Sequence, residues 1–130
     1  MKPVIKVDIV SDVVCPWCFI GKRRIEKAMN ILQDEFDFEV SYLPFELNPQ
    51  TPQEGFNQKE YLAQKFGSEE KYHQITNHVT QVAAQEGLQF DFEKQRISPN
   101  TKDAHRVIWF AKKEGKQLAV KEAFMKAYFE

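Results

Sequence analysis

Apolar and polar positions alternate where the chain begins. Ile5, Val7 and Ile9 are separated by Lys6 and Asp8, the period of two that marks a half-buried strand. The pattern changes after a turn at Ser11 and Asp12. From Pro16 to about Gln33 it is helical, with Cys18, Ile25, Met29 and Leu32 on one face that is expected to pack inward. Pro16 fits the first turn, where an N–H would have no intrahelical partner. The period of two returns in Phe38, Val40 and Tyr42, alternating with Glu39, Ser41 and Leu43, until Pro44 ends the run or sets it at an edge. Strand, helix and strand make a βαβ unit with parallel strands and a right-handed crossover.

Residues 45–55 have turn composition, with Pro49, Pro52 and Gly55. Beyond them the pattern is helical. Asn57 caps a short helix that Gly67 ends, and Ser68 caps the next, with Glu69 and Glu70 in its favourable first turn. Its expected buried stripe is Tyr72, Ile75, Val79, Val82 and Ala83, which leaves His73 and His78 at the surface. Leu88, Phe90 and Phe92 tuck into the core from a connector. Asn100 is the expected cap of a helix that buries Ala104, Val107, Ile108 and Ala111, with Asp103 as its reciprocal partner. A last helix is expected to bury Val120, Ala123, Phe124, Ala127 and Tyr128. The chain thus divides into a βαβ unit at 1–50 and a helical segment at 51–130.

Composition narrows this picture. A chain of 130 residues is one domain's worth, and eleven Phe point to an aromatic core. A formal net charge of −1 offers nothing to nucleic acid or an anionic membrane, so neither is an expected partner. No apolar run reaches the length of a membrane span, and Lys6 and Asp8 interrupt the only apolar stretch near the N-terminus. The expected compartment is the cytoplasm.

The candidate chemistry lies where the first strand turns into the first helix. Cys15 falls at or beside the helix N-cap, at the mouth of the turn, and Cys18 one turn in. Free N–H groups and the partial positive charge of a helix N-terminus stabilise a thiolate, which makes Cys15 the expected nucleophile. Two intervening residues allow a short disulfide, so the implied reaction is thiol–disulfide exchange, with Cys18 resolving the mixed disulfide. A structural zinc site needs four ligands, and there is no third cysteine, while His73 and His78 are spaced onto different sides of a helix. No metal is expected. A static cross-link closing so small a loop would restrain little of the unfolded chain. Trp17, between the cysteines, is expected to be partly exposed and able to touch a substrate chain. Asp12 is a candidate for proton handling near Cys18, or an ordinary turn residue. Lys22, Arg23 and Arg24 read as a solvated helix face.

The run from Ser11 to Lys22, with Cys15-Pro16-Trp17-Cys18 at its centre, resembles the DsbA-like thioredoxin proteins of the FrnE type, dithiol–disulfide oxidoreductases or isomerases. Further matches are Pro44-Phe45-Glu46-Leu47-Asn48-Pro49, Asn100 to Arg106, and Ala127 to Glu130, which together span nearly the whole chain. The resemblance implies a DsbA-type α/β thioredoxin fold with an α-helical insertion. Beside Asp12, Pro16 and Trp17, the active-site support expected from position, it implies Asn48, Asn100, Thr101, His105 and Arg106 as substrate-binding candidates, with the Asn100 to Arg106 motif facing the cleft. Protein or small-molecule thiols and disulfides are the implied substrates. No bound cofactor is implied, with glutathione or another thiol as a co-substrate. The same superfamily contains kappa-class glutathione transferases and related isomerases, which lack the cysteine pair. A glutathione-dependent enzyme of that kind, or a redox-sensing adaptor, is the alternative reading.

A thioredoxin fold contains a second half that supplies two more strands, a closing helix and a cis-proline loop, and no segment here reads as that half. The expectation is a chain that is a truncated product, a fragment or one part of an assembly, and that stops after its helical insertion. The first strand then has an unpaired edge, through which the chain is expected to associate with itself.

Overall fold

In the computed structural model, which describes Met1–Glu130, strand β1 (Val4–Ser11) leads into helix α1 (Pro16–Ile31) and strand β2 (Asp37–Pro44). β1 and β2 are parallel and paired throughout, from Val4 opposite Asp37 to Ser11 opposite Pro44. This register sets Ile5, Val7 and Ile9 beside Phe38, Val40 and Tyr42 on one face, where Ile9, Val40 and Tyr42 pack into the core. Helices α4 (Lys102–Lys113) and α5 (Gln117–Phe129) pack on β2, and α1 packs on α3 (Glu69–Gln85). Between the βαβ unit and α3 lies α2 (Gln58–Phe66), capped by Asn57 Oδ1 accepting from the Glu60 N–H at 3.0 Å and closed by Gly67 at φ 108°. Ser68 caps α3 in the same way.

One hydrophobic cluster draws on both ends of the chain. Phe19 and Ile20 of α1 and Tyr42 of β2 meet Val79 and Ala83 of α3, Leu88 and Phe90 of the connector, and Met125 and Phe129 of α5. Phe90 stacks on Phe129 with ring centroids 4.6 Å apart, and Phe19 stacks on Phe90. Each such buried side chain contributes roughly 1.5–3 kcal/mol relative to exposure.

Several expected details are corrected. The chain beyond Pro44 is not wholly helical. Phe56–Asn57 (β3) and Ile97–Ser98 (β4) form a short antiparallel pair, too brief to show a period of two. The buried residues of α1 are Phe19, Ile20 and Lys22, while Cys18, Ile25 and Met29 are half-buried and Leu32 is exposed. The cause is that α1 packs on α3 and reaches α5, turning its face by about one residue. In α3 Thr76 replaces Ile75 in the buried stripe, its hydroxyl bonded to the Tyr72 carbonyl at 2.9 Å. In α4 His105 is buried and Val107 is exposed. In α5 the buried seam is Gln117, Lys121, Met125 and Phe129, four residues apart. Gln117 is polar because it closes the outer edge of β2: its side chain accepts from the Tyr42 N–H at 2.9 Å and donates to the Tyr42 carbonyl at 3.2 Å.

The basic run after the cysteines is not a solvated face. Lys22 is 5% exposed and bonds Glu26 at 2.5 Å and Glu122 at 2.7 Å, and Arg23 pairs with Glu122 as well. Arg24 and Lys27 reach Glu86 beyond the end of α3. These pairs tie α1 to the helical segment.

Candidate active site

Cys15 is the N-cap of α1, with extended φ −91° and ψ 112°, and Pro16 follows in the first turn. The turn is held by the Cys15 N–H to the Asp12 carbonyl at 3.4 Å and by the Cys18 and Phe19 N–H groups to the Cys15 carbonyl. Both cysteines are free thiols and both are half-buried, so Cys18 is no deeper in kind than Cys15. Trp17 is 46% exposed beside them, its ring 6.1 Å from that of His78.

Beneath the thiols lies a buried polar cluster. Asp12 is 1% exposed. Its carboxylate accepts from the Val13 N–H at 2.8 Å, the Leu47 N–H at 2.8 Å and His105 Nε2 at 2.9 Å, with the buried Thr101 against it. Burial alone would raise its pKa, but the bonds from His105, Leu47 and Thr101 outweigh that and hold it below the usual carboxylate value. The carboxylate thereby clamps three parts of the chain: the β1–α1 turn, the loop after β2 and the start of α4.

The opposite side of the cluster is Lys121 of α5, also 1% exposed. Its ammonium donates to the Ser11 carbonyl at 3.4 Å and lies 5.2 Å from the Tyr42 ring centroid. Ser11 Oγ, in the same wall, is buried with no partner. Desolvation draws the Lys121 pKa down to about 8 against the attraction of Cys18, Asp12 and Cys15.

The strongest influence on each thiol is the other. A hydrogen bond from Cys15 draws Cys18 down to about 6 against its burial, helped by the Asp12 N–H and the Lys121 charge. The same bond, with burial, pushes Cys15 up, although the Cys18 and Trp17 N–H groups act the other way. The two thiols are therefore coupled and titrate as a unit. The helix N-terminus is present, but Lys121 adds a positive charge on the Cys18 side, and that charge lies 103 residues downstream of Cys18 in sequence (121 − 18).

These observations set the chain beside known proteins. The model for the DSBA-like thioredoxin domain matches residues 6–130. The chain belongs to that family. It is 32% identical to a probable DsbA oxidoreductase from Streptomyces coelicolor, over 95% of this chain and 53% of that one, with a TM-score of 0.85. It is 27% identical over 127 residues to the uncharacterized protein YwbO of Bacillus subtilis, covering 97% of this chain and 57% of that protein. The chain thus spans about half the length of these relatives. Its fold is the DsbA-type thioredoxin fold with a helical insertion.

The remaining candidates of the sequence divide. Thr101 and His105 join Asp12 under the thiols. Asn100 is not the cap of α4; Thr101 occupies that position without a side-chain bond. Asn100 Oδ1 accepts from the Lys102 N–H at 2.9 Å and its Nδ2 donates to the Thr51 carbonyl at 2.7 Å, fastening the α4 entry to the loop after β2. Asn48 donates to Tyr61 Oη at 3.2 Å and lines a cavity of about 140 Å³ that begins at Val14 and Pro16, beside Cys15. Arg106 is exposed and paired with Asp103 at 3.2 Å, while its neighbour His105 is buried. Lys121 and Gln117 escaped the sequence reading. Their only signal was spacing in line with Met125 and Phe129, and two polar residues in such a line look like a surface. No helix is long and apolar enough to cross a membrane, and no group of three or more His, Cys, Asp or Glu side chains is placed to hold a metal.

Proposed function

We propose that this chain carries the reactive centre of a thiol–disulfide oxidoreductase, with Cys15 as nucleophile and Cys18 as resolving thiol. The observation that carries the reading is the pair of free thiols on the first turn of α1, beside the buried Asp12, His105 and Lys121.

In the reducing direction, the proton between the two thiols moves to Cys18 and leaves the thiolate on Cys15, where the Trp17 and Cys18 N–H groups receive it. Cys15 Sγ attacks a substrate disulfide, forming one S–S bond and breaking another, and the leaving sulfur departs as a thiolate that takes a proton from solvent. Cys18 then loses its proton to solvent and attacks Cys15 Sγ, and the departing sulfur takes one up. The second substrate thiol is released and the Cys15–Cys18 disulfide remains. Two electrons pass from the pair to the substrate. The oxidising direction is the reverse. Lys121 keeps its charge at neutral pH, and that charge favours the Cys18 thiolate which the second attack needs.

Trp17 and the small cavity beside Pro16 favour a substrate that presents an extended or apolar group next to its sulfur, whether a peptide or a small thiol. The test is insulin reduction with dithiothreitol as electron donor. Acceleration of insulin precipitation that is lost in Cys15→Ser supports the reading. A rate equal to dithiothreitol alone, from a folded chain, contradicts it.

A further inference from the structure

The cavity beside Cys15 holds about 140 Å³. Val14 and Pro16, the chain neighbours of Cys15, belong to its lining, together with Leu62 and Phe66 of α2 and Ile75 and Val79 of α3. Consecutive Cα atoms lie about 3.8 Å apart, so the lining begins within one residue of the nucleophile. The cavity itself is enclosed by α2, α3 and the loop after β2, all within the helical segment and its entry.

Its polar lining is already engaged. Asn48 donates to Tyr61 Oη and accepts from the Gln50 N–H. Gln95 accepts from the Gln58 amide and donates to the Tyr128 carbonyl. The Thr76 hydroxyl donates to the Tyr72 carbonyl. The single charged lining residue, Lys65, is exposed and keeps its ammonium in water. The one buried side-chain polar atom without a partner is Ser11 Oγ, which is not part of this lining. A cavity holds water when it offers that water roughly two to four polar partners. This one has none to spare and suits hydrocarbon. An engineered cavity of about 150 Å³ lined by Leu, Ile and Phe takes benzene, which sets the size of the guest.

The surroundings say what carries that guest. Trp17 follows Pro16 and is 46% exposed, and the exposed ring of His78 lies 6.1 Å from its own. A ligand no larger than the cavity leaves these faces untouched, whereas a peptide that inserts one side chain lies across them.

We propose that this cavity receives the side chain of the residue next to the reacting cysteine of a peptide substrate, and selects one of phenyl or branched aliphatic size. The proposal rests on Cys15 as the nucleophile. With Cys15 Sγ joined to the substrate sulfur, the residue beside the substrate cysteine stands as near the junction as Val14 and Pro16 do. An apolar side chain there leaves water for the cavity as the mixed disulfide forms. A methyl group is too small to fill the space, and an indole is too large for it.

The test compares three tripeptide disulfides, those of Gly-Cys-Phe, Gly-Cys-Ala and Gly-Cys-Trp, each mixed with the reduced protein. Each protein molecule passes two electrons to one peptide disulfide, becomes the Cys15–Cys18 disulfide and releases two peptide thiols, which chromatography counts against time. The Phe peptide should react about tenfold or more faster than the Ala peptide, and the Trp peptide no faster than the Ala peptide. Ile75→Trp, at a position 38% exposed, fills the cavity and should abolish the preference for Phe. Val79→Ala widens the cavity and should bring the Trp peptide above the Ala peptide; it decides the matter if circular dichroism shows Ile75→Trp unfolded. Equal rates for the Phe and Ala peptides, a Phe preference that survives in folded Ile75→Trp, or a Val79→Ala variant that still excludes Trp would overturn the proposal and leave the exchange chemistry standing. Failure of all three disulfides to react would overturn the exchange chemistry, and this assignment with it.

Discussion

Replacing Lys121 by Met should make the protein more stable and its thiols less reactive. Lys121 is 1% exposed, and its pKa falls from 10.5 to about 8 because burial disfavours the ammonium. At about 1.4 kcal/mol per tenfold change, keeping that charge in the folded state costs about 3 kcal/mol at pH 7. Against this stand the long bond to the Ser11 carbonyl, 3.4 Å, and the Tyr42 ring at 5.2 Å, together about 1–2 kcal/mol. A methionine fills the same space without the charge, so Lys121→Met should gain about 1–2 kcal/mol in urea denaturation of the reduced chain at pH 7. The sign of the pH dependence is fixed too. The folded pKa lies below the unfolded one, so between about pH 8 and pH 10.5 the unfolded chain binds more protons and the wild type gains stability as pH rises. The advantage of the variant should therefore shrink by about 1 kcal/mol between pH 7 and pH 9. Over the same change, iodoacetamide alkylation at pH 6.5 should slow several-fold, because Cys18 loses a positive neighbour. A variant that is less stable at pH 7, by an amount that does not change with pH, would refute the argument that Lys121 holds a desolvated charge for the thiols.

Asp12→Asn removes the buried charge and turns one of the two accepting oxygens into a donor, set against either the Leu47 N–H or the Val13 N–H and His105, and should cost about 2–4 kcal/mol, read by urea denaturation at pH 7. Because the folded Asp12 pKa lies below its unfolded value, its stabilisation is complete above about pH 4 and fades as pH falls through the folded value. The gap between wild type and variant should close on acidification, which the same titration at pH 3 checks. Gly55→Ala forces a side chain onto φ +78°, with its Cβ 2.3 Å from Ile97 Cγ2 and 2.8 Å from the Ser98 carbonyl. It should cost about 1–3 kcal/mol by thermal melting and speed amide exchange in the β3–β4 pair. Trp17→Ala should leave the melting temperature nearly unchanged, since the ring is 46% exposed, and should raise KM for a peptide disulfide a few-fold while sparing dithiothreitol.

The βαβ unit was legible because its periods are clean: residues 5–9 and 38–42 alternate, and Pro16 and Pro44 mark where helix begins and strand ends. The caps at Asn57 and Ser68 were legible because capping is local. What the sequence concealed was set by partners far along the chain. Lys22 and Arg23 look solvated until Glu122 is placed beside them, and Lys121 looks like a surface lysine until α5 lies under the thiols. His105 was found as a site residue by resemblance, and its partner Asp12 by position. Their contact at 2.9 Å joins residues 93 apart, which no periodicity reports. β3 and β4 are two residues each, shorter than any pattern that could announce them.

The central claim is that Cys15 attacks and Cys18 resolves, and trapping the mixed disulfide tests it most directly. Reduced Cys18→Ser and Cys15→Ser variants are each mixed with glutathione disulfide at pH 7 and followed by intact-mass and peptide-mapping mass spectrometry. The account predicts rapid formation of a stable glutathione adduct on Cys15 in Cys18→Ser, and a much slower reaction at Cys18 in Cys15→Ser. A faster adduct on Cys18, or no adduct on either thiol of a folded protein, would contradict it.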